Sequence, residues 1–213
     1  MTESRQSTQA KQLTHTEVVQ AGLDTLDAVG LDSWTMRRVA DRLGVQLNTV
    51  YWHAKNKSAL LDLMADELLA GCADGRLPRP WRKRVITLAA RYRAALLSRR
   101  DGGRLSIARF HALPNTIRLS EALHKAFVDG GLPPAVVSHA AWSVSYLTLA
   151  SVIEEQGEPA DWAGEWERSS PTLRQNNDLA EALRYSVSAD YRVRFEFSID
   201  LLLAGLDTTR GES

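Results

Sequence analysis

Apolar side chains recur every three or four residues along nearly the whole chain, and strand-like alternation is absent, so the sequence predicts an all-α protein. Val19, Leu23 and Leu26 form the buried stripe of a first helix. Thr14 and Glu17 open it with capping-box spacing, and Gly30 ends it. Met36, Val39, Ala40 and Leu43 stripe a short second helix that Thr35 caps and Gly44 ends. A third helix runs to about His53, and a fourth opens at Lys55-Asn56-Lys57 and places Leu61, Met64, Leu68 and Cys72 on one face.

Residues 75–80 read as a linker by composition, and residues 81–99 as a fifth helix with a strongly basic face. Asp101, Gly102 and Gly103 break that helix, and a short segment leads to His111. Helices follow over residues 115–129 and from Pro133 or Pro134 to Glu155. The latter is apolar on more than one side, so it must be covered on more than one side. Residues 157–172 read as a loop carrying Trp162 and Trp166, residues 178–187 as a ninth helix, and residues 190–206 as the last. The predicted architecture is a small helical unit with a helix-turn-helix, plus a larger helical domain. The divisions fall at residues 1–57, 58–78 and 79–213.

The second and third helices carry the chemistry. Ala40 must be small where two helices cross, Gly44 supplies a left-handed turn, and Val50 points into a small core. That spacing turns the other side chains of the third helix outward, where a DNA major groove would receive them. The chain as a whole has zero formal charge, but residues 33–57 set Arg37, Arg38, Arg42, Lys55 and Lys57 against Asp41 alone. A local basic patch is what phosphate contact needs, and overall neutrality does not exclude it.

Other features narrow the class. The one cysteine, Cys72, excludes an intrachain disulfide framework and is expected as a small core residue. No apolar signal segment opens the chain, and no stretch reaches the length of a membrane span, so a soluble cytoplasmic protein is expected. His15, His53, His111, His124 and His139 show no metal-ligand spacing. His124 and His139 are read as structural or surface residues. No metal and no cofactor are expected. A helical enzyme is disfavoured, because no acid–base pair, nucleophile elbow or phosphate loop is present.

The string TVYWHAKNKSALLD, from Thr49 to Asp62, resembles the end of the recognition helix in the tetracycline-repressor (TetR) family of bacterial transcription regulators. ALLSRRDG (residues 95–102) and VIEEQG (residues 152–157) are similar to segments of the tetracycline repressor's carboxy-terminal domain. The resemblance implies a homodimer whose amino-terminal units bind a near-palindromic operator. It also implies a carboxy-terminal pocket whose small-molecule ligand releases the DNA.

The residues placed by the motif to face duplex DNA are Thr35, Arg37, Gln46, Leu47, Asn48, Thr49, Tyr51, Trp52, His53 and Lys57. Asn48 and Gln46 suit adenine, and Leu47 or the Thr49 methyl suits thymine. Tyr51, Trp52, His53 and Lys57 suit phosphates, which fix register without reading sequence. Leu47 is equally readable as core.

For the pocket, the resemblance places Ser106 where a metal-ligating histidine is expected and Arg109 at a neighbouring threonine position. Tyr92 is a retained aromatic contact, and Glu154 a retained carboxylate. One carboxylate is not a metal site, which argues against tetracycline–magnesium as inducer. His111, Leu96, Leu123, Trp142 and Tyr146 complete the expected lining, although Trp142 and Tyr146 read equally well as plain core. A DNA-binding regulator without a small-molecule switch is the alternative, and a helical binding module that no longer contacts DNA is a weaker one.

Overall fold

The computed structural model describes residues 13–107, 109, 112–157, 168, 178, 181, 182, 185 and 190–207. Among them the elements are all helical: α1 (His15–Val29), α2 (Met36–Leu43), α3 (Leu47–His53), α4 (Lys57–Leu68), α5 (Trp81–Leu97), α6 (Gly102–Ser106), α7 (Pro114–Asp129), α8 (Pro134–Gly157) and α9 (Tyr191–Gly205). The chain divides into two compact units, residues 1–64 and 65–213, and α4 crosses the division. His111, Trp162, Trp166 and most of the helix expected over residues 178–187 lie outside the described residues.

In the first unit, helix ends follow local chemistry. The Thr14 hydroxyl accepts from the Glu17 amide, and the Glu17 carboxylate accepts from the Thr14 amide, so the expected capping box is formed. The Thr35 hydroxyl accepts from the Arg38 amide at the start of α2. The core is built from Val18, Leu23, Leu26, Trp34, Val39, Val50, Leu60 and Met64. Trp34 is fully buried, and its indole Nε1 donates to the Gly22 carbonyl at 2.9 Å. Gly22 itself admits Met64, since a Cβ there would stand 2.7 Å from the methionine sulfur.

In the second unit α5, α7 and α8 pack on one another, α6 packs on α8 and α5, and α9 packs on α8 and α5. Their shared interior holds Val85, Leu88, Leu96, Leu105, Phe127, Val144, Val152 and Ile199. Two expectations are corrected. α4 ends at Leu68 and turns follow it, rather than the helix continuing to Cys72, although Leu61, Met64, Leu68 and Cys72 are all buried. The second concerns Gly102 and Gly103, which begin helix α6 rather than only breaking a helix. The break lies just before, at Asp101, whose φ of 56° is left-handed. Gly102 fits there because a Cβ would stand 2.0 Å from the Leu96 carbonyl oxygen. Gln156 of α8 holds the junction, donating to the Arg99 carbonyl at 2.8 Å and accepting from the Gly103 amide at 3.1 Å.

α8 is, contrary to expectation, long and apolar enough by length and composition to cross a membrane. Its apolar character has another physical use. Val137, Ala140, Ala141, Val144, Leu149 and Val152 are buried, and neighbours pack on several of its sides.

Candidate nucleic-acid interface and ligand pocket

The turn between α2 and α3 is fixed by backbone geometry. Gly44 adopts φ 66° and ψ 30°, its amide donates to the Asp41 carbonyl, and the Val45 amide reaches back to the Ala40 carbonyl at 3.1 Å. This is a Schellman closure, which satisfies the last carbonyls of α2 and redirects the chain into α3. Ala40 is buried at the crossing, and Val50 is fully buried. One inward residue in a helix of 7 residues sets the rotation of the rest.

Gln46, Asn48, Tyr51 and Trp52 are therefore exposed, and Leu47, Thr49 and His53 are half-buried. Trp52 keeps 89% of its surface in solvent. An indole so little covered adds little to this unit's folding, and its apolar area favours a partner. Gln46 precedes α3 without capping it through its side chain, which leaves the amide for other contacts. Arg37 is exposed on α2.

Not every expected cation is equally available. Arg42 donates to the Asp24 carbonyl at 2.9 Å, which ties α2 to α1. Lys57 stands in the first turn of α4, where Asn56 accepts from the Ala59 amide at 2.8 Å. The Lys57 ammonium donates to the Trp34 carbonyl and lies against the Trp34 ring. Sequence reasoning missed Trp34, since no local spacing connects it to Gly22 or Lys57.

The second unit places Tyr92, Leu96 and Leu123 in its interior. Burial pushes the Tyr92 phenol well above its ordinary range and the Cys72 thiol upward as well, so both stay neutral. Ser106 is half-buried, but its Oγ is covered and lacks a hydrogen-bond partner. Arg109 is half-buried. Trp142 and Tyr146 are not brought to this interior. They are exposed on α8, with their rings tilted at 31° and their centres 5.4 Å apart. Glu154 is also exposed and pairs with Arg194 of α9 at 3.2 Å. His111 lies outside the described residues. A separate open groove of about 420 Å³ lies on the first unit, lined by Thr25, Ala28, Val29, Arg38, Asp41 and Arg42.

Magnesium, which the resemblance associates with tetracycline, does not fit these residues. Ser106 offers one neutral hydroxyl and Glu154 faces Arg194, whereas a hard cation wants several oxygen ligands.

Comparison with known proteins agrees with this architecture. The family described as bacterial regulatory proteins, tetR family, matches residues 18–64, and the tetracyclin repressor-like C-terminal domain matches residues 75–210. The class C tetracycline repressor protein of Escherichia coli is 32% identical over 198 residues, covering 91% of this chain and 90% of that protein. A possible TetR family transcriptional regulator from Streptomyces coelicolor A3(2) superposes with a TM-score of 0.83 at 34% identity, covering 92% of this chain and 99% of that one. ActR from Streptomyces coelicolor, in complex with actinorhodin, gives 0.81 at 27% identity, covering 92% and 96%. The chain belongs to the tetR family of bacterial regulatory proteins, and it is a ligand-responsive, DNA-binding transcriptional regulator.

Proposed function

We propose that the protein is a cytoplasmic repressor, without catalytic activity, that a small molecule other than tetracycline–magnesium releases from a near-palindromic operator. The observation that carries the DNA-reading part is the outward row Asn48, Tyr51 and Trp52 beside a fully buried Val50. α3 is about 10 Å long, so three or four side chains reach base edges. Asn48 and Gln46 read bases, Thr35, Arg37, Leu47 and Thr49 support that contact, and Tyr51, Trp52, His53 and Lys57 hold phosphates.

Dimerisation uses the outer faces of α8 and α9. Trp142, Tyr146, Val193, Phe197 and Leu201 are exposed there, a large apolar area for a monomer to leave in water. A second copy covers it in a two-fold arrangement. Trp142 and Tyr146 then serve the interface rather than the pocket of their own subunit.

The ligand site we assign to Tyr92, Leu96, Ser106, Arg109, His111 and Leu123. The unpartnered Ser106 hydroxyl and the neutral Tyr92 phenol favour an uncharged, hydrogen-bonding ligand that needs no metal. ActR in complex with actinorhodin shows that a protein of this fold, 27% identical to this chain, takes up a small organic molecule. To move the population from 1:99 to 99:1 the ligand must prefer the released state by about 5.5 kcal/mol. A displacement assay decides: operator-bound protein is challenged with actinorhodin, and with tetracycline with and without magnesium, while fluorescence anisotropy follows the DNA. Metal-independent release by a compound such as actinorhodin supports the reading. Release by tetracycline only when magnesium is present would refute it.

A further inference from the structure

Asp66, near the end of α4, is 7% exposed, too deeply buried for its carboxylate to rely on water. Its carboxylate instead accepts four hydrogen bonds from the first turn of α7. Oδ2 accepts from the Asn115 amide at 3.2 Å and Asn115 Nδ2 at 3.1 Å. Oδ1 accepts from the Thr116 amide and the Thr116 hydroxyl, both at 2.8 Å. That turn lacks a cap of its own: Leu113 precedes it and supplies no side-chain acceptor, and Pro114 has no N–H. Arg118 donates to Asn115 Oδ1 at 2.7 Å, which turns the Asn115 NH2 toward Asp66. A carboxylate at a helix N-terminus also meets the favourable end of the helix dipole.

We propose that Asp66 is a clasp that makes α4 and α7 move as one. α4 begins in the unit that carries the helix-turn-helix, and α7 carries Leu123 and follows directly on the segment of Ser106 and Arg109. A displacement of the α6–α7 segment therefore pulls on α4 through this carboxylate, and fixing α4 on DNA holds the first turn of α7. Asp66 is a positioning residue, since it acts through Asn115 and Thr116 of α7. The inference rests on the DNA-binding reading but makes a separate demand.

Amide hydrogen exchange on the full chain, free and saturated with its selected operator duplex, tests the clasp. In the wild type, operator slows exchange at Asn115 and Thr116 as well as along α4. In Asp66→Ala, exchange at these two amides rises roughly tenfold or more, as expected for lost charge-assisted bonds, and no longer responds to operator. Thr116→Val, which removes one of the four bonds and keeps the amide, weakens the response by an intermediate amount. It also keeps the test readable if Asp66→Ala unfolds. Anisotropy on the same samples reports DNA binding independently, so a failure to bind DNA is distinguished from a failure of the clasp. Exchange at Asn115 and Thr116 that ignores operator in the wild type, or responds equally in the variants, overturns the proposal.

Discussion

The ammonium of Lys57 donates to the carbonyl of Trp34 at 3.0 Å and sits 5.7 Å from the centre of its ring. The contact holds the charge at the start of α4, while the side chain remains exposed. Lys57→Ala is expected to weaken cognate and random duplexes about equally and to flatten the log K against log salt slope by about 0.9. Salt titrations by anisotropy check this. A cation–π contact in such a place contributes only about 0.5–1 kcal/mol, so the melting temperature should change little.

Asn48 is exposed on α3, and its amide suits a bidentate pairing with adenine. Asn48→Ala should cost about 1–3 kcal/mol on the cognate operator and little on random DNA. Binding to the operator and to its single-base variants measures the difference. Equal losses on all sequences would contradict the assignment.

Two glycine substitutions should differ in size for different reasons. A Cβ at Gly44 meets nothing within 4 Å, so Gly44→Ala costs only the left-handed backbone strain, about 1 kcal/mol. At Gly102 a Cβ would meet the Leu96 carbonyl oxygen, which is backbone and cannot step aside cheaply. Gly102→Ala should cost about 3 kcal/mol. Denaturant unfolding of the two variants tests the order.

Arg84 first, and then Lys125, hold the Asp129 carboxyl below its usual range by hydrogen bonding to the carboxylate. A lowered folded-state value stabilises the fold above the unfolded value, near 3.8, and loses that effect as pH falls through the lower folded value. The wild type should exceed Asp129→Asn in stability at neutral pH, and the gap should close as pH drops below 3.8. A gap that widens in acid would reverse the sign of the argument.

The features legible in the sequence are those decided within a few residues. Thr14 with Glu17, Thr35, Gly44 and Val50 each act over one helical turn, and each stands where its spacing placed it. Less legible were residues whose partners lie far along the chain. Asp66 meets groups 49 and 50 residues away, Gln156 meets Arg99 and Gly103, and Trp34 meets Gly22 and Lys57. On α8 periodicity says less: a helix apolar all round gives no hint that Val144 faces inward while Trp142 and Tyr146 face out, so the sequence leaves pocket wall and core equally open for the two aromatics.

Selection from a random duplex pool by the purified full-length protein, followed by anisotropy on the enriched sequence, tests the central claim most directly. The account predicts one near-palindromic site, with half-site centres about 34–36 Å apart, bound by the wild type and lost when Tyr51 or Lys57 is replaced. Enrichment of no sequence at low salt, or enrichment indifferent to Tyr51, Trp52 and Asn48, would contradict it.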